Sequence, residues 1–247
     1  MIATSNDIGP LKEIGKIVAE TLKFMRESVT PGMTTLQLDQ LGEDFMNSLG
    51  ARSAPRLMYR FPGATCICVN HETAHGIPGT KVIRDGDLVN IDVSAEKNGY
   101  YSDAGESFVV GSPGPKLATL LAAGRDALEN AINIVRPGVK INQIGKAIEE
   151  TASRAGFTVI RNLGSHGIGK KLHEEPQFIA GYYDAHDRRI LEENVVITIE
   201  PFISMGAVRT RDSGDGWTLV TKPHQKTVQF EHTLIVTSDG PLIMTQA

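Results

Sequence analysis

The sequence is poor in cysteine and aromatic residues, and it has no long apolar run. Its 247 residues include two cysteines, too few for the disulfide framework of a small secreted protein. Residues 1–10 (MIATSNDIGP) lack the basic and apolar segments of a signal peptide, and no stretch approaches the roughly 18–20 apolar residues that cross a bilayer. The 29 acidic residues outnumber the 25 lysines and arginines. The chain therefore lacks the excess of basic residues that direct binding to nucleic acid or an anionic membrane would need. We therefore expect a cytoplasmic globular protein.

An internal duplication organises the chain. Residues 29–32 (VTPG) recur as residues 135–138 (VRPG), 106 positions later, and Gly50 recurs as Gly156 at the same offset. In each copy one helical pattern precedes the Pro-Gly turn and a second follows it, and the first helix is predicted to begin at the caps Asn6 and Asp7. The predicted core faces of the four helices are Leu11, Ile14, Val18, Leu22 and Met25; Leu36, Leu38, Leu41, Phe45 and Leu49; Leu117, Leu121, Leu128, Ile132 and Val135; and Ile141, Ile144, Ile148 and Ala152.

Segments rich in β-branched residues follow each helix pair. They comprise residues 65–70, 88–94 and 100–110 in the first copy and residues 157–163, 195–200 and 227–237 in the second. Each copy is small for a core of its own, so we expect residues 1–247 to form a single domain with an internal repeat of roughly 6–110 and 112–247. The predicted fold class is α+β, with strands in the middle, helices outside, and one sheet and one site shared by the halves.

Two acids of the first copy are expected to lie side by side. Asn98-Gly99 is a strong signal for a two-residue hairpin turn, and that register places Ser94 opposite Asp103. Side chains two positions apart share a face of a strand, so Asp92 and Asp103 become diagonal neighbours. Two carboxylates in a half-buried sheet repel each other and lose hydration, which favours either a bound proton or a cation between them.

The second copy repeats this pattern with Glu200 and Glu231 on its own apolar strands. If the halves are related by a pseudo-twofold axis, all four acids converge. Four carboxylates in one pocket predict about two divalent cations. The alternative is that these acids lie on edge strands and face water.

The histidines include further candidate site residues, and one histidine-containing motif does not have the sequence context that its function requires. Residues 71–75 (HETAH) match the H-E-x-x-H zinc motif, but strand-like sequence precedes them and Gly76 to Gly79 follow, where the motif needs a continuing helix. His75 stays a candidate beside this turn, and the glycine-rich segment 163–176 supplies His166 and His173. No G-x-S-x-G elbow, P-loop or C-x-x-C motif occurs. Cys66 and Cys68 are too close in the sequence for an unstrained disulfide, and Cys68 is expected to be a small buried apolar residue.

Several motifs in order resemble the type I methionine aminopeptidases of the bacterial kind. They are NIDVS (90–94), NGYYSDAG (98–105), LGSHGIGKKLHEEP (163–176), ITIEPF (197–202), DGWT (215–218) and QFEHT (229–233). The resemblance extends from about Leu11 to residue 243. It implies the pita-bread fold, in which two pseudo-twofold-related helix–helix–strand halves surround a central antiparallel sheet.

The resemblance also implies a dinuclear metal site. Asp92 would bind one ion, His166 and Glu200 the other, and Asp103 and Glu231 would bridge the two. The implied cofactors are two divalent ions per chain, and a mostly carboxylate site with one imidazole leaves Mn, Fe(II), Co and Zn open.

The implied activity is removal of the N-terminal methionine from peptides and nascent proteins that have a small uncharged second residue. His75, His173 and Glu200 would be catalytic, with His75 near the scissile amide and His173 near the substrate carbonyl. The methionine pocket would use Tyr59, Phe61, Cys66, Phe202 and Trp217, with the contributions of Met58 and Leu172 left open. A monomer is expected, and contact with the ribosome stays open because no basic cluster supports it.

Two rival functions fit parts of the sequence. One is a prolidase or proline-type aminopeptidase, whose members usually carry an added N-terminal domain. The other is a non-catalytic binding module of the same fold, which would be expected to lose metal ligands, whereas all five ligand types are present.

Overall fold

Two pairs of long helices alternate with short strands in the computed structural model, which describes residues 1–246. The helices are α1 (Ser5–Ser28), α2 (Thr35–Ser48), α3 (Ala54–Tyr59), α4 (Pro115–Asn133) and α5 (Ile141–Arg154). The strands are β1 (Arg52–Ser53), β2 (Cys66–Val69), β3 (Glu72–Ala74), β4 (Leu88–Lys97), β5 (Tyr100–Val109), β6 (Thr158–Val159), β7 (Gly164–Gly167), β8 (Glu174–Ala180), β9 (Val196–Ile199), β10 (Phe202–Ser204), β11 (Arg211–Asp212), β12 (Leu219–Val220), β13 (Thr227–Gln229), β14 (His232–Ile235) and β15 (Leu242–Ile243). Across these described residues, no helix is both long and apolar enough to span a bilayer.

Helix α1 begins earlier than its sequence pattern predicts. Its N-cap is Thr4, whose backbone N–H and hydroxyl both donate to Asp7 Oδ2, at 2.8 and 2.6 Å. Asp7 is therefore the acid three residues inside the helix rather than the cap itself. The expectation that Asn6 and Asp7 cap the helix was wrong because only the folded backbone shows which polar side chain stays outside it.

The buried face of α2 is also rotated from the predicted one. Leu38 and Met46 are fully buried, whereas Leu36 is 52% exposed. Gly42 lies between the two buried residues at helical spacing, and a side chain there would overlap the thioether of Met25 on α1. The α1–α2 contact therefore depends on this glycine.

The two Pro-Gly turns, one in each half, have equivalent backbone geometry. Gly32 and Gly138 both have left-handed φ angles, +98° and +83°, which only glycine adopts without strain. The Gly32 N–H donates to Ile83 O, and the Gly138 N–H donates to Leu191 O, at 2.9 Å in both cases. Each Pro-Gly turn therefore holds its second helix against a following extended segment in the same way.

The strands form antiparallel sheets that meet between the halves. One sheet has the order β1-β4-β2 with β5 also on β4, and a five-stranded sheet has the order β15-β14-β9-β7-β8. In the first sheet Ser94 pairs with Asp103, which confirms the predicted hairpin register. The halves are joined where Glu231 N–H donates to Gly105 O at 2.9 Å and Asp103 N–H donates to Thr233 Oγ1 at 2.9 Å.

Several strand predictions need correction. The segment 227–237 is split into β13 and β14, and the segment 157–163 contributes only Thr158–Val159. Pro201 interrupts the ladder between β9 and β10 because it has no N–H to donate. The glycine-rich segment 163–176 contains β7 and the start of β8, which its composition does not suggest.

The apolar core follows the duplication. One buried cluster consists of residues between 14 and 110, and another is built mainly from residues 120 to 236. A third cluster joins Leu11 and Ala54 of the first half to Val196 and Ile235 of the second. The helices cover the outside of the sheets.

Candidate active site

The five predicted metal ligands meet where the two halves join. Asp92 lies on β4, Asp103 on β5 and His166 on β7, while Glu200 follows β9 and Glu231 precedes β14. One ligand atom each from Asp103, His166 and Glu231 lie within 4.8 Å of one another. His166 Nε2 is 3.5 Å from Glu200 Oε1, and Asp92 is close enough to Asp103 for its carboxylate to raise the pKa of that acid.

The environment of these acids fits a cation-binding site. Burial raises the pKa of Asp103, Glu200 and Glu231, and the other carboxylates raise it further. Burial also raises the pKa of Asp92 to about 6. Asp103 Oδ1 and Glu231 Oε1 are buried without a hydrogen-bond partner among residues 1–246. Oxygen atoms with these properties are the ligands that divalent cations use, so the donor set fits metal ions.

The surroundings of His166 keep its imidazole ring neutral. Its pKa is lowered to about 3, first by burial and then by the neighbouring His173. Its Nδ1 lies 2.9 Å from Gly167 O, which can only accept a hydrogen bond, so Nδ1 carries the proton. The unprotonated Nε2 then faces Glu200, as metal coordination by imidazole requires.

The side-chain amide of Gln229 is buried beside the acids, and it was not identified from the sequence. Gln229 Nε2 donates to Glu231 Oε2 at 2.9 Å, and Asn90 Nδ2 donates to Gln229 Oε1 at 2.8 Å. Gly105 makes room for this amide, because a Cβ there would overlap it. Since the amide oxygen is engaged by Asn90, the NH₂ group must face the acids.

A regular signal could have identified these supporting residues. Asn90 stands two positions before Asp92, and Gln229 stands two positions before Glu231. Thr198 stands two positions before Glu200, and its hydroxyl lies 3.2 Å from Glu200 Oε1. Positions two apart share a strand face, so a polar residue at that spacing on an apolar strand indicates support for the acid.

An apolar cleft of about 370 Å³ opens above the acids. Phe61 and Trp217 meet edge to face in it, with ring centroids 5.2 Å apart. All five residues that were expected to form the methionine pocket line this cleft, as does Leu172: they are Tyr59, Phe61, Cys66, Phe202 and Trp217. Met58 is not among the lining residues and instead contacts the Tyr101 hydroxyl through its sulfur. Burial raises the pKa of the Cys66 thiol, which is therefore a neutral wall group rather than a nucleophile.

His75 and His173 lie at the same cleft, from different halves. His75 follows β3 with a left-handed φ of +53°, so residues 71–75 are not helical and the H-E-x-x-H zinc motif is excluded. The His173 ring is 4.1 Å from the His166 ring between centroids. Burial lowers the pKa of His75 and lowers that of His173 to about 4, so both rings are neutral at pH 7 and can donate one hydrogen bond.

Comparison with known proteins agrees with this geometry. Residues 10–238 match the family model described as metallopeptidase family M24. The chain is 48% identical to methionine aminopeptidase from Staphylococcus epidermidis, covering all of this chain and 98% of that protein. It is 45% identical to methionine aminopeptidase 2 from Bacillus subtilis over the full length of both. The crystal structure of methionine aminopeptidase from Rickettsia prowazekii superposes with a TM-score of 0.94 at 38% identity, covering all of this chain and 99% of that one.

The pita-bread fold and the buried acids beneath an open cleft define a metal-dependent peptidase. The chain belongs to metallopeptidase family M24. The resemblance inferred from the motifs is thereby confirmed, as is the fold class.

Proposed function

We propose that this chain removes the N-terminal methionine from peptides and nascent proteins, with a preference for small uncharged second residues. The observation that carries the proposal is the joining of three buried acids, the half-buried Asp92 and one neutral imidazole beside an aromatic-lined cleft. The full-length similarity to methionine aminopeptidases supports it. A non-catalytic binding module would be expected to lose metal ligands, whereas all five ligand types are present here.

In this proposal Asp92 would hold one divalent ion, His166 and Glu200 would hold the other, and Asp103 and Glu231 would contribute to both. Bound there, divalent ions would lower the pKa of a water and polarise a carbonyl. Mn, Fe(II), Co and Zn all suit a site of carboxylates with one imidazole. The number of ions follows from four acids sharing one pocket, and it is part of the proposal.

The chain's own residues divide the remaining work. Glu200 accepts the proton of the attacking water and returns it to the nitrogen as the carbon–nitrogen bond of the first peptide breaks. His173 donates a hydrogen bond to the carbonyl oxygen, which gains negative charge as the water oxygen bonds to its carbon. His75 hydrogen-bonds the nitrogen of the scissile amide. The water thus ends divided between the new carboxylate and the released amine.

The cleft accounts for selection of methionine. Phe61, Trp217, Phe202, Tyr59 and Cys66 offer an apolar cup with few polar atoms. An unbranched, polarisable thioether fits such an irregular cup well. We extend the proposal to one metalloaminopeptidase domain of residues 1–247 that acts as a cytoplasmic monomer on peptides and nascent chains; docking on the ribosome has no supporting feature here.

The direct test is hydrolysis of Met-Ala-Ser by protein loaded anaerobically with each candidate metal. Release of methionine that requires metal, together with no hydrolysis of Gly-Pro peptides, is the expected result. Metal content measured on the same samples gives the number of ions per chain. Cleavage of Gly-Pro instead would favour the proline-specific alternative, and no cleavage with any metal would overturn the enzymatic proposal.

A further inference from the structure

Tyr59 makes a contact that a pocket-wall role does not require. Its hydroxyl lies 2.7 Å from His173 Nδ1. Among the described residues 1–246, neither the hydroxyl nor the imidazole makes another hydrogen bond. The two residues are 114 positions apart and belong to different halves, so the contact exists only in the folded chain.

The backbone around His173 is held independently of its ring. Glu174 Oε1 accepts from the N–H groups of Lys170 and Lys171, at 2.7 Å each, and Glu174 Oε2 lies 2.8 Å from the amino group of Met1. These contacts fix the loop but leave the imidazole free to turn about its own bond.

Packing alone does not decide which edge of the imidazole faces the cleft. The ring lies against the His166 ring with 4.1 Å between centroids and a 37° tilt. A half-turn of the His173 ring would preserve this stacking while exchanging the positions of its nitrogen and carbon atoms. The hydrogen bond to Tyr59 distinguishes the two orientations, because only one of them places Nδ1 at the hydroxyl.

The same hydrogen bond selects the tautomer. A phenol O–H is a more acidic donor than an imidazole N–H, and an unprotonated imidazole nitrogen is a better acceptor than a phenol oxygen. Tyr59 therefore donates and Nδ1 accepts, which leaves the single proton of the neutral ring on Nε2. That N–H is a donor for an oxygen atom that becomes negative in the cleft.

We propose that Tyr59 is a positioning residue that holds His173 as the Nε2–H tautomer, with that donor available to the substrate carbonyl. The inference rests on the proposed aminopeptidase function and deepens it. Tyr59 ends the short helix α3 and its side chain is 41% exposed. Removing the hydroxyl therefore leaves the ring in the cleft and takes nothing from the buried core.

The first test compares Tyr59→Phe with wild type on Met-Ala-Ser. The expected result is a fall in kcat of about 3- to 10-fold, the size of one hydrogen bond between neutral groups. KM and inhibition by free methionine should stay unchanged, because the ring still lines the pocket. Tyr183→Phe is the matched control, since Tyr183 is exposed and does not line the cleft. A raised KM with unchanged kcat would overturn the proposal in favour of a wall role.

The second test needs no activity. Ring ¹⁵N spectra of histidine-labelled, metal-free protein report which nitrogen is protonated, and the His173 signals are assigned by their loss in His173→Ala. The wild type should show a protonated Nε2 and a hydrogen-bonded Nδ1, and Tyr59→Phe should show a mixture of tautomers. The same tautomer in both proteins would overturn the proposal. A wild type that has the Nε2–H form but cleaves no peptide would refute the proposed function and leave the positioning role standing.

Discussion

The two halves of the molecule share their turns but differ in their acid-bearing strands. Thr35 N–H donates to Lys81 O, and Ile141 N–H, 106 positions later, donates to Arg189 O, at 2.9 Å in both. The first half then forms one uninterrupted hairpin of two ten-residue strands, β4 and β5. The corresponding strands of the second half are broken in the middle.

The break changes how the second half presents its acids. Ile199 pairs with His232 and Phe202 pairs with Gln229, so the same register places Glu200 opposite Glu231 across the gap. In the first half the acids are diagonal neighbours instead. A duplicated fold can thus keep its turns and core while its strands diverge to build an asymmetric site. Matched substitutions in the two halves test this comparison.

The largest effect is expected when one bridging acid of either half is removed. Asp103→Ala and Glu231→Ala should each abolish activity and lower the bound metal, because the remaining acids cannot hold both ions. Glu106→Ala is the control, since Glu106 lies on the same strand as Asp103 at an odd spacing and pairs with Arg26. Metal content and methionine release are the measurements. Full activity in either acid variant would remove its bridging assignment.

The two cleft histidines test whether the halves contribute equally to chemistry. His75→Ala and His173→Ala should each lower kcat by about 10²–10³, as loss of one donor to the transition state does. Steady-state kinetics on Met-Ala-Ser at saturating metal measures this. Turnover near wild type in both variants would contradict the roles proposed for them.

The pH dependence of stability probes the buried acids. Burial raises the pKa of Glu231, so the folded metal-free protein keeps a proton that the unfolded chain releases above a pH of about 4.3. Its cost to stability therefore grows as pH rises from that value toward the folded pKa. Glu231→Gln removes the cost and should raise the Tm of metal-free protein more at about pH 7.5 than at about pH 5.

Calorimetry in the presence of a chelator makes that comparison. Glu27→Gln is the control, because Glu27 is exposed on α1. An equal Tm change for Glu231→Gln at both pH values would show that the buried carboxyl carries no such penalty.

The smallest expected effect is a difference in stability between variants at the N-termini of α2 and α5, which are equivalent positions in the two halves. The side chain of Thr34 accepts from Gln37 N–H at 3.2 Å, whereas Lys140, its counterpart, makes no side-chain cap. Thr34→Ala should cost about 1 kcal/mol of unfolding free energy. Lys140→Ala should cost almost none. Urea unfolding of the two variants checks this, and equal losses would mean that the cap on α2 does not matter.

Much of the fold could be predicted because its signals are local. The Asn98-Gly99 turn sets the β4–β5 register over a few residues, and that placed Asp92 and Asp103 on one face. The Pro-Gly turns likewise need only their own backbone. The start of α1 and the face of α2 were misplaced, because the choice among nearby polar or apolar residues depends on neighbours such as Met25.

The supporting residues of the site could not be found in the same way. Asn90 reaches Gln229 across 139 positions, and Tyr59 reaches His173 across 114. A pattern of alternation gives the face of a strand but says nothing about which distant strand lies against it.

By itself, the amino-acid sequence determined the duplicated helices and turns, the hairpin register and the acids that lie on apolar strands. These depend on backbone preferences and periodicity within a few residues. Only the tertiary structure decided that Glu200 stands opposite Glu231, that Gln229 turns its NH₂ group toward the acids and that Tyr59 orients His173. Those arrangements depend on contacts between distant segments, whose geometry exists only after the two halves have packed together.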